Sequence, residues 1–308
     1  MSLKQVVASW FDTAAVGPGE DGSNRQIDWV RILPFIGLHL ACLAVFVVGV
    51  SWIAVAVFAA SYLVRMFAIT AFYHRYFSHR TFRTSRPVQF IFALIGSAAT
   101  QRGPLWWAAH HRHHHKAADR HDDPHSPRHG FLWSHMGWFL SREHFATDFN
   151  QIPDLARYPE LRWLDRYDLI IPVLYAGLLF GLGWVLERLA PGLGTSGGQL
   201  LVWGYVLSTV VLLHVTLTIN SLAHCWGTRR YATRDDSRNN WLLAALTLGE
   251  GWHNNHHHFP GSARQGFYWW EIDISYYLLK LMNWLGLVHD LKPVPDRIRN
   301  ARRLENLS

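Results

Sequence analysis

The stretch ILPFIGLHLACLAVFVVGVSWIAVAVFAASYLVRMFAITAFYHRYFSHR, residues 32–80, contains two long apolar runs and, before its basic tail, a single charged residue, Arg65. A helix needs about 20 consecutive apolar residues to cross the hydrocarbon core of a bilayer. Residues 32–50 and 51–72 supply one such run each. Almost nothing separates them, so they read as a tight helical hairpin whose polar ends lie on one side. Arg65 sits near enough to the end of its run to snorkel, or else faces the protein interior.

A second pair lies far downstream, at residues 169–186 and 200–219, joined by the short turn ERLAPGLGTSGGQ. The apolar segment 87–100 is only fourteen residues long, too short to span, and reads as a re-entrant or surface-lying helix. Residues 272–288 form an amphipathic stretch suited to the cap or the membrane surface. The expected fold is therefore an all-α integral membrane protein. Four transmembrane helices in two hairpins stand under a helical cap made of residues 73–168 and 220–308, in one domain covering 1–308.

Composition agrees. Half of the 308 residues are apolar, sixteen are tryptophan, and charged residues make up 17%. This is too apolar for an ordinary soluble domain and too charged for a bare bundle. Two cysteines, Cys42 and Cys225, exclude a disulfide framework and give no thiolate metal motif. Residues 1–30 lack the short apolar core and small-residue site of a cleaved signal peptide. The net charge of +7 alone would allow nucleic-acid binding, but in a chain with spans it reads as basic cytoplasmic loops. The segment 74–168 holds thirteen Lys and Arg against one Arg in the turn between the third and fourth spans. That bias places both termini and the cap in the cytoplasm.

Seventeen of the twenty histidines fall within residues 74–168 and 224–258 of the cap face, and they form groups. HRYFSHR holds His74 and His79; HRHHHK holds His111, His114 and His115 in an HxxHH pattern; HNNHHHFP repeats it with His253, His256 and His257. Residues at i, i+3 and i+4 share a helix face, so each HxxHH presents two or three imidazoles to one point. An i, i+5 pair diverges on an ideal helix, so His74 and His79 need a helix end or a shared pair of ions. Imidazole suits iron, zinc, copper and nickel alike. A zinc site takes three or four protein ligands, so eight histidines in three groups fit two ions with positions left open for oxygen.

HxxxxH after a span, then HRxHH, then GEGxHNxHHxFP resembles the membrane-bound fatty acyl desaturases of the stearoyl-CoA delta-9 type, in a bacterial-like form without a fused cytochrome b5 domain. The likeness runs from about residue 32 to LGLVHDLKPVP. It implies a diiron centre, with His74, His79, His111, His114, His115, His253, His256 and His257 as ligands. The motif NSLAH adds His224 as the ninth and Asn220 as a ligand through water. The implied reaction uses dioxygen to convert a long saturated acyl chain to a cis-monounsaturated one, delta-9 in position. The same resemblance leaves the carrier open between acyl-CoA and acyl-lipid. In the animal acyl-CoA enzymes an Arg-Asp pair precedes the second box and helps hold coenzyme A; here Ala109 and His110 stand there, which weakens the case for coenzyme A.

The remaining histidines read as bystanders: His110, His113 and His258 flank the boxes, His121 and His125 lie in HDDPHSP, and His39 and His214 sit inside spans, where packing against a neighbouring helix is the ordinary role. Asp122, Asp123 and Glu250 are candidates to accept from ligand imidazoles. Trp106, Trp107, Trp133 and Trp138 suit either a tunnel wall or an interfacial belt. No dinucleotide, flavin or haem motif occurs, so the electrons come from a separate donor of the ferredoxin, cytochrome b5 or flavin reductase kind. Arg229, Arg230 and RIRNARR could dock it, or rest on anionic lipid. An alternative within the same chemistry is a diiron fatty acid hydroxylase or alkane monooxygenase, whose common first box has three residues between its histidines instead of four. A histidine-rich transporter would carry its ligands within the spans.

Overall fold

In the computed structural model, residues 7–8, 10–15 and 25–306 are described. The first apolar run forms α1 (Leu33–Val48), broken by a 3-10 turn at Cys42–Ala44 and ended by Gly49. The φ of +69° at Gly49 is one that a side chain would resist. Ser51 then caps α2 (Trp52–Ser78), its hydroxyl accepting from the Ala54 N–H at 3.1 Å. After α3 (Arg86–Ser97) and α4 (Pro104–Ala117) the chain reaches the short α5 (Pro159–Arg166) and the second pair of long helices. These are α6 (Ile170–Leu189) and α7 (Gly197–His224).

Among the described residues three helices, α2, α6 and α7, are long and apolar enough to cross a membrane, where the sequence suggested four. At 1.5 Å per residue α1 reaches only about 24 Å, short of a hydrocarbon core of about 30 Å. Its outer side chains are nevertheless bare, Phe46 at 84% and Val47 at 86% exposure. Gln199 Nε2 donates to the Val48 carbonyl at 3.0 Å and Trp203 Nε1 to the Gly49 carbonyl at 2.9 Å. The two hairpin turns therefore meet at the same end of the bundle.

Polar groups within the spans find partners among themselves. Arg65 faces the interior at 1% exposure, bonded to Thr209 Oγ1 at 2.6 Å and the carbonyls of Ala98 and Ser61. His39 Nε2 meets His214 Nε2 at 2.9 Å, and His214 Nδ1 meets His135 Nε2 at 3.0 Å. The ordinary helix-packing role expected for His39 and His214 accounts for both.

The main apolar core lies where α2 leaves the spans and enters the cap. Residues 68–78 of α2 are π-helical, every one of them buried. Phe72 stacks on Phe92 of α3 at 3.9 Å, so the short segment at 87–100 is a helix packed on the end of α2. Further along, α8 (His253–His258) carries the third histidine group, and α9 (Ile274–Trp284) starts at Asp273, whose carboxylate accepts from the Tyr276 N–H. Ser275, Leu279 and Met282 of α9 face inward, while Trp284 (81% exposed), Leu281 and Leu285 stay bare together with Trp269 and Ile272. An exposed apolar face of this kind suits the membrane surface. Strands β1 (Arg83–Thr84) and β2 (Val288–His289) pair antiparallel and tie the C-terminal segment beside the first histidine group.

Candidate metal centre

The π-helical segment settles the spacing of the first box. A π-helix closes i to i+5, and the His79 N–H bonds the His74 carbonyl at 3.3 Å. The two imidazoles that an α-helix would splay apart have ring centroids 4.9 Å apart. On α4 and α8 each HxxHH divides instead of converging on one point. Positions i and i+4 differ by about 40° around a helix of 3.6 residues per turn, while i+3 falls on the other side. His111 and His115 thus join His74, His79 and His256 in one group, and His253 and His257 join His114 and His224 in another. Within each group the ligand nitrogens lie within 4.8 Å of one another.

The Nε2 atoms converge. His79 and His111 approach to 2.8 Å, His115 and His256 to 2.9 Å, His74 and His256 to 3.0 Å, and His224 and His253 to 3.0 Å. Behind them stand carboxylates. His114 Nδ1 is 3.0 Å from both Asp123 oxygens, His224 Nδ1 3.1 Å from Asp119, and His257 Nδ1 2.9 Å from Asp235, while His74 Nδ1 pairs with Glu250. Each carboxylate holds the proton on Nδ1 and leaves a lone pair on Nε2. Of the carboxylates expected in this role, Asp123 and Glu250 fill it and Asp122, exposed, does not. Asp119 and Asp235 were not foreseen. In AADRHDD nothing but the rotation of the chain past the end of α4 decides which acid points inward.

Glu250 also binds Arg75, whose Nη2 is 2.9 Å from Glu250 Oε1 and 2.9 Å from Asp273 Oδ1. Gly249, at φ +125°, lets that trio close, because a Cβ there would strike the Asp273 carboxylate. Burial works to raise the Glu250 pKa, but His74 and Arg75 hold it below the usual carboxylate range. Burial drives His79, His111, His115, His253 and His256 well below the ordinary imidazole value, so these rings are neutral near pH 7 and free to ligate. For His114 burial is outweighed by Asp123, and its pKa rises.

Asn220 lines a small cavity of about 40 Å³ together with His74, His111, His114 and His253, between the two groups. A larger cavity of about 410 Å³ runs past the same point, sharing Trp107, His111, His125 and Asn220 with it. Trp106, Trp107 and Trp138 line the larger one. Trp133 does not, its Nε1 being bonded to the Pro124 carbonyl. His125, read as a bystander, stacks on His114 at 4.1 Å and borders both cavities. His110 gives Nδ1 to the Trp106 carbonyl at 2.9 Å, and His258 meets the Ile298 carbonyl. Much of the basic surface is spent internally: Arg230 pairs with Glu271, Arg229 with Asp236, and Arg299 with Asp296.

Residues 30–284 match the fatty acid desaturase family. The chain belongs to that family. It is 37% identical over 289 residues to an sn-2 palmitoyl-lipid 9-desaturase of Nostoc sp. (strain 36), covering 92% of this chain and 96% of the relative. It is 37% identical over 273 residues to an sn-1 stearoyl-lipid 9-desaturase of Anabaena variabilis, covering 88% and 96%. An acyl-CoA C20 Delta5-desaturase of Anemone leveillei is 36% identical over 294 residues, covering 91% and 89%. Desaturases are oxidoreductases, and the resemblance read from the three histidine boxes is borne out.

Proposed function

We propose that the protein is a membrane desaturase that converts a long-chain saturated acyl group to a cis-monounsaturated product, delta-9 in position, at a centre of two non-haem irons. One observation carries this reading. His114 and His257 both commit Nδ1 to carboxylates, so both present lone pairs where their Nε2 atoms face each other at 3.4 Å. Two facing lone pairs repel unless a proton or a metal cation lies between them, a metal there would displace the proton that Asp123 favours on His114, and imidazole is a ligand that iron accepts. The donor set fits a pair of ions: His74, His79, His111, His115 and His256 would hold one, His114, His224, His253 and His257 the other, with Asn220 reaching the centre through water.

Iron held there supplies activation of dioxygen and removal of hydrogen from an unactivated methylene. The chain supplies placement. Asp119, Asp123, Asp235 and Glu250 fix the imidazole tautomers, and the walls of the larger cavity, Trp106, Trp107 and Trp138 among them, hold an extended apolar chain against His111 and exclude bulk water. In balance, one dioxygen, two electrons, two protons and a –CH2–CH2– unit give a –CH=CH– unit and two waters. The electrons come from a separate ferredoxin, cytochrome b5 or flavin reductase type of protein. The chain acts as one domain in a bacterial inner membrane, its basic cap and its site facing the cytoplasm. The relatives act on acyl-lipid and acyl-CoA substrates, and both carriers fit the class.

Expression in a host fed stearate, followed by gas chromatography of its lipids with double-bond mapping, tests the reading. New cis-monounsaturated chains and two irons per purified chain are expected. Hydroxylated products, or zinc alone in the purified protein, would overturn it.

A further inference from the structure

The wall of the larger cavity carries charge that the histidine centre does not use. Asp28, Arg31, Arg102 and Asp168 line it there. Arg102 is spent on Asp168, with Nε 2.7 Å from Oδ2. Arg31 is held less closely: its Nε lies 3.5 Å from Asp28 Oδ2, longer than a direct charged hydrogen bond, and Asp28 is shared with Arg142 at 3.9 Å. Phe145 packs against both guanidiniums, Arg31 at 3.6 Å and Arg102 at 4.0 Å from the ring centre. Two guanidiniums and two carboxylates thus line the cavity, and Arg31 is the guanidinium that is not closely paired. Arg31 lines the cavity, and its side chain is only 10% exposed.

The depth of Arg31 is marked by its neighbours. Trp29, Val30 and Leu33 are exposed on either side of it, and α1 begins two residues later. An arginine among bare aromatic and apolar side chains at the start of an apolar helix sits at the level of lipid headgroups. We propose that Arg31 binds the phosphodiester of a glycerophospholipid whose acyl chain occupies the cavity. Charge supports one carrier over another. A phosphodiester brings one negative charge, which one loosely paired guanidinium can meet, whereas coenzyme A brings a diphosphate and a third phosphate to a wall whose other arginine, Arg102, is already spent on Asp168. The position before the second histidine box is also uncharged, since His110 is buried against Trp106 at 4.4 Å with its Nδ1 bonded to the helix. In this partly dry setting a bidentate guanidinium is the group best suited to a phosphodiester.

The proposal rests on the desaturase reading of the same cavity and is tested by binding. Trp10, Trp106, Trp107 and Trp138 line the cavity, so energy transfer from tryptophan to a pyrene-acyl phosphatidylglycerol reports occupancy of the iron-loaded protein in detergent. Distearoyl phosphatidylglycerol should displace the probe at about tenfold lower concentration than distearoyl monogalactosyldiacylglycerol or stearoyl-CoA, the preference worth one charged hydrogen bond. Arg31→Gln should erase that preference without changing iron content, and Arg31→Lys should keep part of it. Equal displacement by the galactolipid, stronger displacement by stearoyl-CoA, or an unchanged preference in Arg31→Gln would each overturn the proposal. The lipid preference of the unmodified protein stands as a test even where a variant fails to fold. A host that gains no monounsaturated lipid while the preference holds would sink the desaturase reading and leave the headgroup site intact.

Discussion

Nε2 of His114 stands 3.4 Å from Nε2 of His257, and both rings have their other nitrogen on a buried aspartate. The acids make the two rings ligands instead of hydrogen-bond partners for each other. Asp123→Asn and Asp235→Asn should therefore lower metal affinity by roughly 10–100-fold while leaving every histidine in place. Competition with a chelator, read as iron per chain, measures this. Asp122→Asn, on an exposed side chain, should change nothing, and an equal loss there would show that charge alone matters.

His256 touches two partners, His74 at 3.0 Å and His115 at 2.9 Å, and lies on α8 outside the long helices. His256→Ala should abolish unsaturated product in the host while the protein still fractionates with membranes at normal abundance. A fully active variant would remove His256 from the centre.

Arg75 is buried between Glu250 and Asp273. Removing one member of a buried ion network leaves the others without compensation, typically at a cost of about 3–5 kcal/mol. Arg75→Met should show this as a large drop in Tm in detergent. The double variant Arg75→Met with Asp273→Asn should recover part of it, since one stranded carboxylate is gone. Equal losses in the two variants would show that the network is not coupled.

Burial lowers the pKa of His144 to about 4, against about 6.5 in an unfolded chain. The unfolded state then binds the extra proton first, so stability is full above pH 6.5 and is lost as the pH falls toward 4. Replacing His144 with glutamine removes that dependence. Relative to the unmodified protein, the variant should gain about 2 kcal/mol between pH 7 and pH 5. Asp165, raised by burial to about 6, shifts stability in the opposite direction, but it is common to both proteins and cancels in the difference. Parallel stability curves for the two proteins would show that His144 is solvated.

The histidine boxes were legible because their spacing survives in one dimension, and the grouping of nine rings around one place follows it. The split of each HxxHH between two groups follows from helix geometry, yet nothing in HRHHHK says which ring turns which way. Asp119 and Asp235 escaped notice because their partners, His224 and His257, lie 105 and 22 residues away in the chain. Of the four spans expected, the first is the one whose helix stays short: residues 32–50 are apolar throughout, but the positive φ at Gly49 ends the helix at Val48. The π-helical stretch, conversely, has no composition of its own. It reveals itself only through the five-residue interval of HxxxxH, which an α-helix cannot use.

The meeting of the two hairpin turns, through Gln199 on Val48 and Trp203 on Gly49, bears on how such a protein is made. Among the described residues the two connections at that end are small: a three-residue bend follows α1, and a short loop joins α6 to α7. If both hairpins enter the bilayer, biosynthetic insertion has only two small loops to push toward the far side. With the cap facing the cytoplasm, as proposed above, the histidines of the centre stay on the side where iron is supplied, and the metal is loaded without crossing a bilayer.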